Sequence, residues 1–201
     1  MMDTYFTLKA EAEGQYKEKG SKFLSFAYPV KNEEEVKQIL NEVKKKYFDA
    51  RHHCYAYAFG KNRDFYRMND DGEPSSTAGK PIYGQILSKN ITNVLIVVVR
   101  YFGGTKLGVS GLIQAYRQAA ADCLNNAQII EKIIENDFEI CFNYKEINLI
   151  MKLLKDNKIA SRNYNIDTTC FLTVTVRESL QEDFLNKIKA VSNVKITPLN
   201  L

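Results

Sequence analysis

The stretch Val94-Leu95-Ile96-Val97-Val98-Val99-Arg100-Tyr101-Phe102-Gly103-Gly104-Thr105-Lys106-Leu107-Gly108-Val109-Ser110-Gly111 changes chemistry twice along its length. Its first six residues are an unbroken apolar run rich in β-branched side chains, the pattern of a strand buried on both faces. Arg100 ends that run, and glycine, polar and charged residues follow. Beyond it, Leu112, Ile113, Tyr116, Ala119 and Cys123 recur at helical spacing. The unit therefore reads as buried strand, glycine-rich cationic turn, helix. Such a turn directs backbone N–H groups and the positive end of a helix dipole outward, and anions are its natural guests.

Upstream of this unit, Thr4 to Lys17 and Ser21 to Val30 read as two strands joined in a hairpin at Lys19-Gly20. Asn32 suits a helix N-cap, Glu33, Glu34 and Glu35 fill the first turn, and Val36, Ile39, Leu40, Val43 and Tyr47 form one apolar stripe. Lys44, Lys45 and Lys46 close that helix as the dipole prefers, so the lysine run reads as a solvated terminus rather than a phosphate grip. His53 to Gly60 is a third strand, with bulky His53, Tyr55, Tyr57 and Phe59 on one face and His52, Cys54, Ala56 and Ala58 on the other. The small face suits close packing against a helix. From Lys61 to Gly79 the apolar pattern disappears and a long loop is expected, followed by a short helix over Pro81 to Leu87.

Downstream, Ala127 to Asn136 reads as a connector passing into a strand. Ile133 to Phe142, Ile159 to Ile166, Thr168 to Val176 and Val194 to Leu199 then read as strands, with helices over Lys145 to Asn157 and Leu180 to Val191. That is β-α-β-β-α-β, the ferredoxin-like order. The expected class is α+β in two domains, residues 1–130 and 131–201.

Basic side chains number 28 and acidic ones 24, a net charge of +4 that does not by itself announce a nucleic-acid protein. Any such case must rest on a local patch. No apolar run approaches membrane-spanning length and no signal-peptide pattern opens the chain, so a cytoplasmic location without membrane partners is expected. Cys54, Cys123, Cys141 and Cys170 lie far apart among apolar residues, as buried reduced thiols do.

Several constellations invite chemistry. Gly103 to Ser110 approaches the P-loop pattern between a strand and a helix, but Val109 stands where the lysine belongs, which excludes a nucleotide triphosphatase of that class. Two readings of the turn remain open: a cradle for a phosphate or other anion, helped by Arg100, Lys106 and the N–H groups of Gly108 to Gly111, or glycines that only permit tight turning and close packing. Asp70, Asp71 and Glu73 could ligate magnesium, yet a solvated Asp-Gly turn is the preferred reading. His52, His53 and Cys54 alternate across a strand and lack a second ligand pair, so no zinc site is assigned, and neither histidine has a readable nucleophilic partner. Neither metal nor cofactor is expected. Arg100 with Tyr101 and Phe102, and Arg51 with Tyr55 and Tyr57, combine cations and aromatic faces as single-stranded nucleic-acid surfaces do, although half-buried strands use tyrosine for packing alone.

The residues Arg51-His52-His53-Cys54-Tyr55-Ala56-Tyr57, Asp71-Gly72-Glu73-Pro74-Ser75 with Thr77-Ala78-Gly79-Lys80-Pro81, and Val98-Val99-Arg100-Tyr101-Phe102-Gly103-Gly104 with Lys106-Leu107-Gly108, Gly111-Leu112 and Ala115-Tyr116 closely resemble the signature of the YigZ/IMPACT family. The resemblance covers the first domain, and the second is similar to the C-terminal domain of bacterial members. It implies a two-layer α/β first domain similar to a small-subunit ribosomal protein and to domain IV of translocation elongation factors. It also implies a ferredoxin-like second domain similar to the last domain of those factors. Eukaryotic relatives are translational regulators that bind the activator of a stress-response kinase. Ser76 and Ser110 depart from the motif, which has glycine at both positions.

The leading expectation is a non-enzymatic, translation-associated regulator binding RNA, the ribosome or a ribosome-linked protein, with no DNA specificity inferred. Its surface would comprise Arg51, His52, Lys80, Arg100, Tyr101, Gly103, Gly104, Lys106, Gly108, Ser110 and Gly111, beside the motif loop of Asp71, Glu73, Pro74, Ser75 and Thr77. Arg51, Lys80, Arg100 and Lys106 would meet phosphates or acidic side chains, and Tyr101 would stack. The alternatives are an enzyme acting on a small phosphorylated or anionic substrate between Asp71/Glu73 and the Gly103 to Gly111 turn, and a pure protein-interaction adaptor.

Overall fold

A computed structural model describes residues 3–199. The chain divides into two compact units, residues 5–132 and residues 133–199 joined by residues 3 and 4. The first runs through β1 (Thr4–Leu8), β2 (Ala12–Glu18), β3 (Ser21–Pro29), α1 (Glu33–Lys46), β4 (His52–Phe59), β5 (Phe65–Asn69), α2 (Gly79–Ser88), β6 (Val94–Tyr101), α3 (Gly108–Asn126) and β7 (Ile129–Ile133). Strands β1 and β7 pair with each other, and the other five form an antiparallel sheet in the order β2-β3-β6-β4-β5.

Central β6 explains the layering. Val94 to Val99 are all fully buried, each stabilising the fold by about 1.5–3 kcal/mol. Strand alternation sends Val94, Ile96 and Val98 into one core with Cys54, Ala56 and Ala58 of β4, Ile82 and Ile86 of α2, and Ala115, Tyr116 and Ala119 of α3. Leu95, Val97 and Val99 enter a second core with Tyr57, Phe59 and the Val36 and Val43 side of α1. The expected two-layer arrangement is therefore corrected to helices on both faces, because both apolar faces of β6 need cover. Asn32 caps α1 as expected, its side-chain oxygen accepting from Glu35 N at 2.9 Å, while Glu35 reaches back to Lys31 N at 2.8 Å.

Two strands depart from the sequence reading. The first expected strand breaks at residues 9–11 into β1 and β2, and the expected long loop contains β5. Phe65, Tyr66, Arg67 and Met68 of this edge strand are exposed whichever face they point to, so no alternation marks them. Of the four thiols, those of Cys54, Cys123 and Cys170 are buried, and all four are free.

The second unit runs β8 (Glu135–Asn143), α4 (Ile147–Asp156), β9 (Ser161–Asn165), β10 (Thr169–Arg177), α5 (Gln181–Lys189) and β11 (Val194–Pro198), with an antiparallel sheet ordered β11-β8-β10-β9. Phe138, Ile140 and Phe142 of β8 and Leu172, Val174 and Val176 of β10 face Ile150, Leu154, Phe184 and Ile188 of the helices. Asp3 is tied into this unit: its carbonyl accepts from Ile134 N at 2.7 Å and its carboxylate is clasped by the Arg177 guanidinium. Hydrogen bonds from Arg177 and Ser179 hold the Asp3 carboxyl well below the usual carboxylate range. A depressed folded-state pKa contributes stability that is fully present above the unfolded value near 4 and is lost progressively as pH falls from there through the depressed folded value. Asp3→Asn is accordingly expected to lower the urea midpoint at pH 7 and to leave a narrower gap from wild type at pH 3. A constant gap across that range would show that the ionised pair contributes nothing.

Candidate functional site

The antiparallel register brings three motif segments to one end of the large sheet. Arg100, near the end of β6, lies opposite Phe23 near the start of β3 on one side and His52 at the start of β4 on the other. The loop between β5 and α2 folds back onto this end. Asp70 organises it: one carboxylate oxygen accepts from Ala78 N at 2.9 Å and Gly79 N at 2.8 Å at the start of α2, and the other from Ser76 N at 2.8 Å. Asp71 accepts from His53 N at 2.7 Å, and its carbonyl oxygen lies 2.9 Å from His52 Nδ1. The loop turns through left-handed backbone at Asp71 (φ 41°), Gly72 (φ 87°) and Ser76 (φ 64°). Glycine at the Ser76 position of the motif therefore has a conformational reason.

Glu73 then points inward. Its Oε1 accepts from Arg100 Nη1 and from the Tyr116 hydroxyl, both at 2.7 Å, and the Cys54 thiol lies 3.3 Å from the same hydroxyl. Glu73 and Arg100 side chains are 4% and 7% exposed. The guanidinium sits 5.5 Å from the Phe23 ring centroid and 5.7 Å from that of Phe102. Burial, together with Cys54 and Glu73, pushes the Tyr116 phenol far above its ordinary range, and burial raises the Cys54 thiol likewise. Both stay protonated at neutral pH, so this chain of groups is a static clamp.

Arg100 was expected to meet phosphates, and here the structure corrects the reading. It follows Val94, Ile96 and Val98 on the side of β6 that faces α2 and α3, and Glu73 neutralises it. Alternation along the strand carried that signal. Tyr101 also departs from its expected stacking role: it packs on the α1 side and donates to Asp49 at 2.7 Å, a bond that holds its phenol up at about 12. The aromatic on the outside is Phe102, 57% exposed.

The glycines divide between the two readings of the turn. A Cβ on Gly103 would lie 1.8 Å from the backbone carbon of Gly20, so this residue exists for close packing. Gly104 (φ 85°) and Gly108 (φ 73°) take left-handed conformations in open space. Gly111 packs against Leu107, where a Cβ would come within 3.1 Å. Lys106 and Ser110 are exposed, and no side chain caps the N-terminus of α3. Arg51 is exposed beside half-buried His52, and Pro74 and Ser75 are exposed while Thr77 is buried, donating to the Pro74 carbonyl at 2.6 Å. Lys80 stands on the outer side of α2, beside Ser76 and Tyr83. Among the described residues, no group of three or more His, Cys, Asp or Glu is arranged to hold a metal ion.

These tied segments coincide with a known domain: the Impact N-terminal domain matches residues 19–124. The chain belongs to the IMPACT family. IMPACT family member YvyE of Bacillus subtilis is 29% identical over 195 residues, covering 97% of this chain and 90% of that protein. IMPACT family member YigZ of Escherichia coli is 33% identical over 150 residues, 73% of this chain and 74% of its own. A crystal structure of a hypothetical protein superposes with a TM-score of 0.74 at 25% identity, covering 100% of this chain and 99% of the other. No helix among the described residues is long and apolar enough to cross a membrane.

Proposed function

We propose that this IMPACT family member is a non-enzymatic regulator associated with translation, which binds RNA on or near the ribosome through the motif end of its first unit. The supporting observation is the internal Glu73–Arg100 pair. It fixes the motif loop to the end of β6 and to Tyr116 of α3, and it leaves Arg51, Lys106, Phe102 and the uncapped start of α3 on the outside. Exposed cations beside an exposed aromatic ring and free N–H groups suit a phosphate backbone with an unstacked base. In this reading residues 5–132 are the IMPACT N-terminal-like domain, similar to a ribosomal protein and to domain IV of elongation factors. The β11-β8-β10-β9 sheet with its two helices is the ferredoxin-like domain similar to the last domain of those factors. The enzyme alternative needs a carboxylate free for chemistry at Asp71 or Glu73, whereas Glu73 is committed to Arg100 and Tyr116 and Asp71 Oδ2 accepts from His53 N.

Co-sedimentation with ribosomes from the host lysate over a salt series tests the reading. Association of the wild type is expected to fall steeply with salt, and Arg51→Ala with Lys106→Ala to reduce the slope of log K against log salt by about one unit per lost phosphate contact. Equal affinity and slope in the double variant would overturn RNA binding at this end.

A further inference from the structure

The outer side of α2 is only partly covered: Tyr83 packs against the edge of the core, and the rest of that side faces a groove. Ile82 and Ile86 enter the core, while Lys80, Tyr83, Gly84 and Leu87 follow one another at i, i+3, i+4 and i+7 on the opposite side. With Met68 of β5 and Ile113 and Arg117 of α3, they line a groove of about 630 Å3. Leu87 is 46% exposed and Tyr66, at the groove edge, 54%.

Gly84 is the informative residue. Glycine in a helix interior is the least favourable choice after proline. A Cβ built on Gly84 meets no atom within 4 Å, so nothing inside the chain requires its absence. A bare backbone there suits close approach from outside. Charge narrows the visitor: Lys80 and Arg117 stand on the groove, no acidic side chain lines it, and neither cation has an acidic partner among the described residues.

We propose that this groove docks an amphipathic helix of a partner protein, bearing small aliphatic residues against Gly84 and acidic residues against Lys80 and Arg117. Tyr66 and Tyr83 stack on each other, with centroids 4.9 Å apart and rings 21° from parallel. One face of each ring is thus taken by the other, and the floor of Met68, Leu87 and Ile113 offers aliphatic surface. A second copy of this chain docked groove to groove would set cation against cation. The inference does not rest on RNA binding at the motif end of the sheet.

Selection of a phage-displayed library of 16-residue peptides against the full-length protein provides the test, with selected peptides measured by fluorescence anisotropy. Enrichment of Leu, Ile and Ala with Asp or Glu three or four positions away is expected. Gly84→Leu should weaken those peptides at least tenfold while raising the melting temperature by about 2–3 °C, since helix propensity improves. Arg117→Glu should weaken acidic peptides by a similar factor and leave the melting temperature unchanged. Peptides that bind Gly84→Leu as well as wild type, or selection without acidic enrichment, would overturn the proposal. So would oligouridylate binding that Gly84→Leu abolishes, or a concentration-dependent dimer in sedimentation that it dissolves.

Discussion

Glu73→Ala is expected to cost about 3–5 kcal/mol of stability in the first unit, because it leaves the Arg100 guanidinium buried without its counter-charge. Arg100 is 7% exposed and rests between two aromatic rings, so it cannot recover a hydration shell without displacing Phe23 or Phe102. Tyr116 loses its acceptor in the same step. The double variant Glu73→Ala with Arg100→Met should regain most of the loss, since apolar replacement of a complete buried pair is often close to neutral. Urea unfolding followed by far-UV circular dichroism separates the cases. A single variant that melts within about 1 kcal/mol of wild type, the range of an exposed ion pair, would show that the pair does not hold the loop. For the same reason Arg100→Ala is a poor probe of ligand binding: it would report folding.

Gly103→Ala is expected to cost about 3 kcal/mol or more, at the upper end for overpacking. The added carbon would lie 1.8 Å from Gly20 C, 2.1 Å from Ser21 N and 2.2 Å from Gly20 O, all backbone atoms of the β2–β3 turn. No rotamer change relieves that clash, and the turn is itself constrained, with Lys19 at φ 44° and Gly20 at φ 80°. Gly104→Ala is the matched control, one residue away with open space around it and φ 85°. It should cost only the left-handed penalty of about 1–2 kcal/mol. If both variants melt together, the turn of β2–β3 is not seated on Gly103. An anion cradle alone would predict loss of binding in both and no greater loss of stability in Gly103→Ala than in Gly104→Ala.

Much of this fold was legible from local physics. The apolar run at Val94 to Val99 marked the centre of the sheet, Asn32 marked the start of α1, and the small face of β4 marked the side on which α2 and α3 pack. What escaped has a common cause. Strand β5 lies at an edge where residues are wet on both faces, so the alternation that reveals strands is absent. The inward turn of Glu73 depends on left-handed residues at Asp71 and Gly72 and on Asp70 gathering three N–H groups, none of which leaves a periodic trace. Arg100 looked like the first residue of a cationic turn, whereas strand parity already placed it beside Val98 on the interior side. Motif residues that appeared to be surface chemistry thus turned out to be the internal fastening of that surface.

The clasp on Asp3 has a bearing on how the chain is made. Asp3 and Arg177 are 174 residues apart, yet they close the same unit. During synthesis the continuous segment 5–132 can complete its core as soon as it has emerged, whereas the second unit must retrieve residues made long before its own strands exist. Assembly order is therefore written into the connectivity: the Asp3 carboxylate meets its guanidinium only after β10 has been translated.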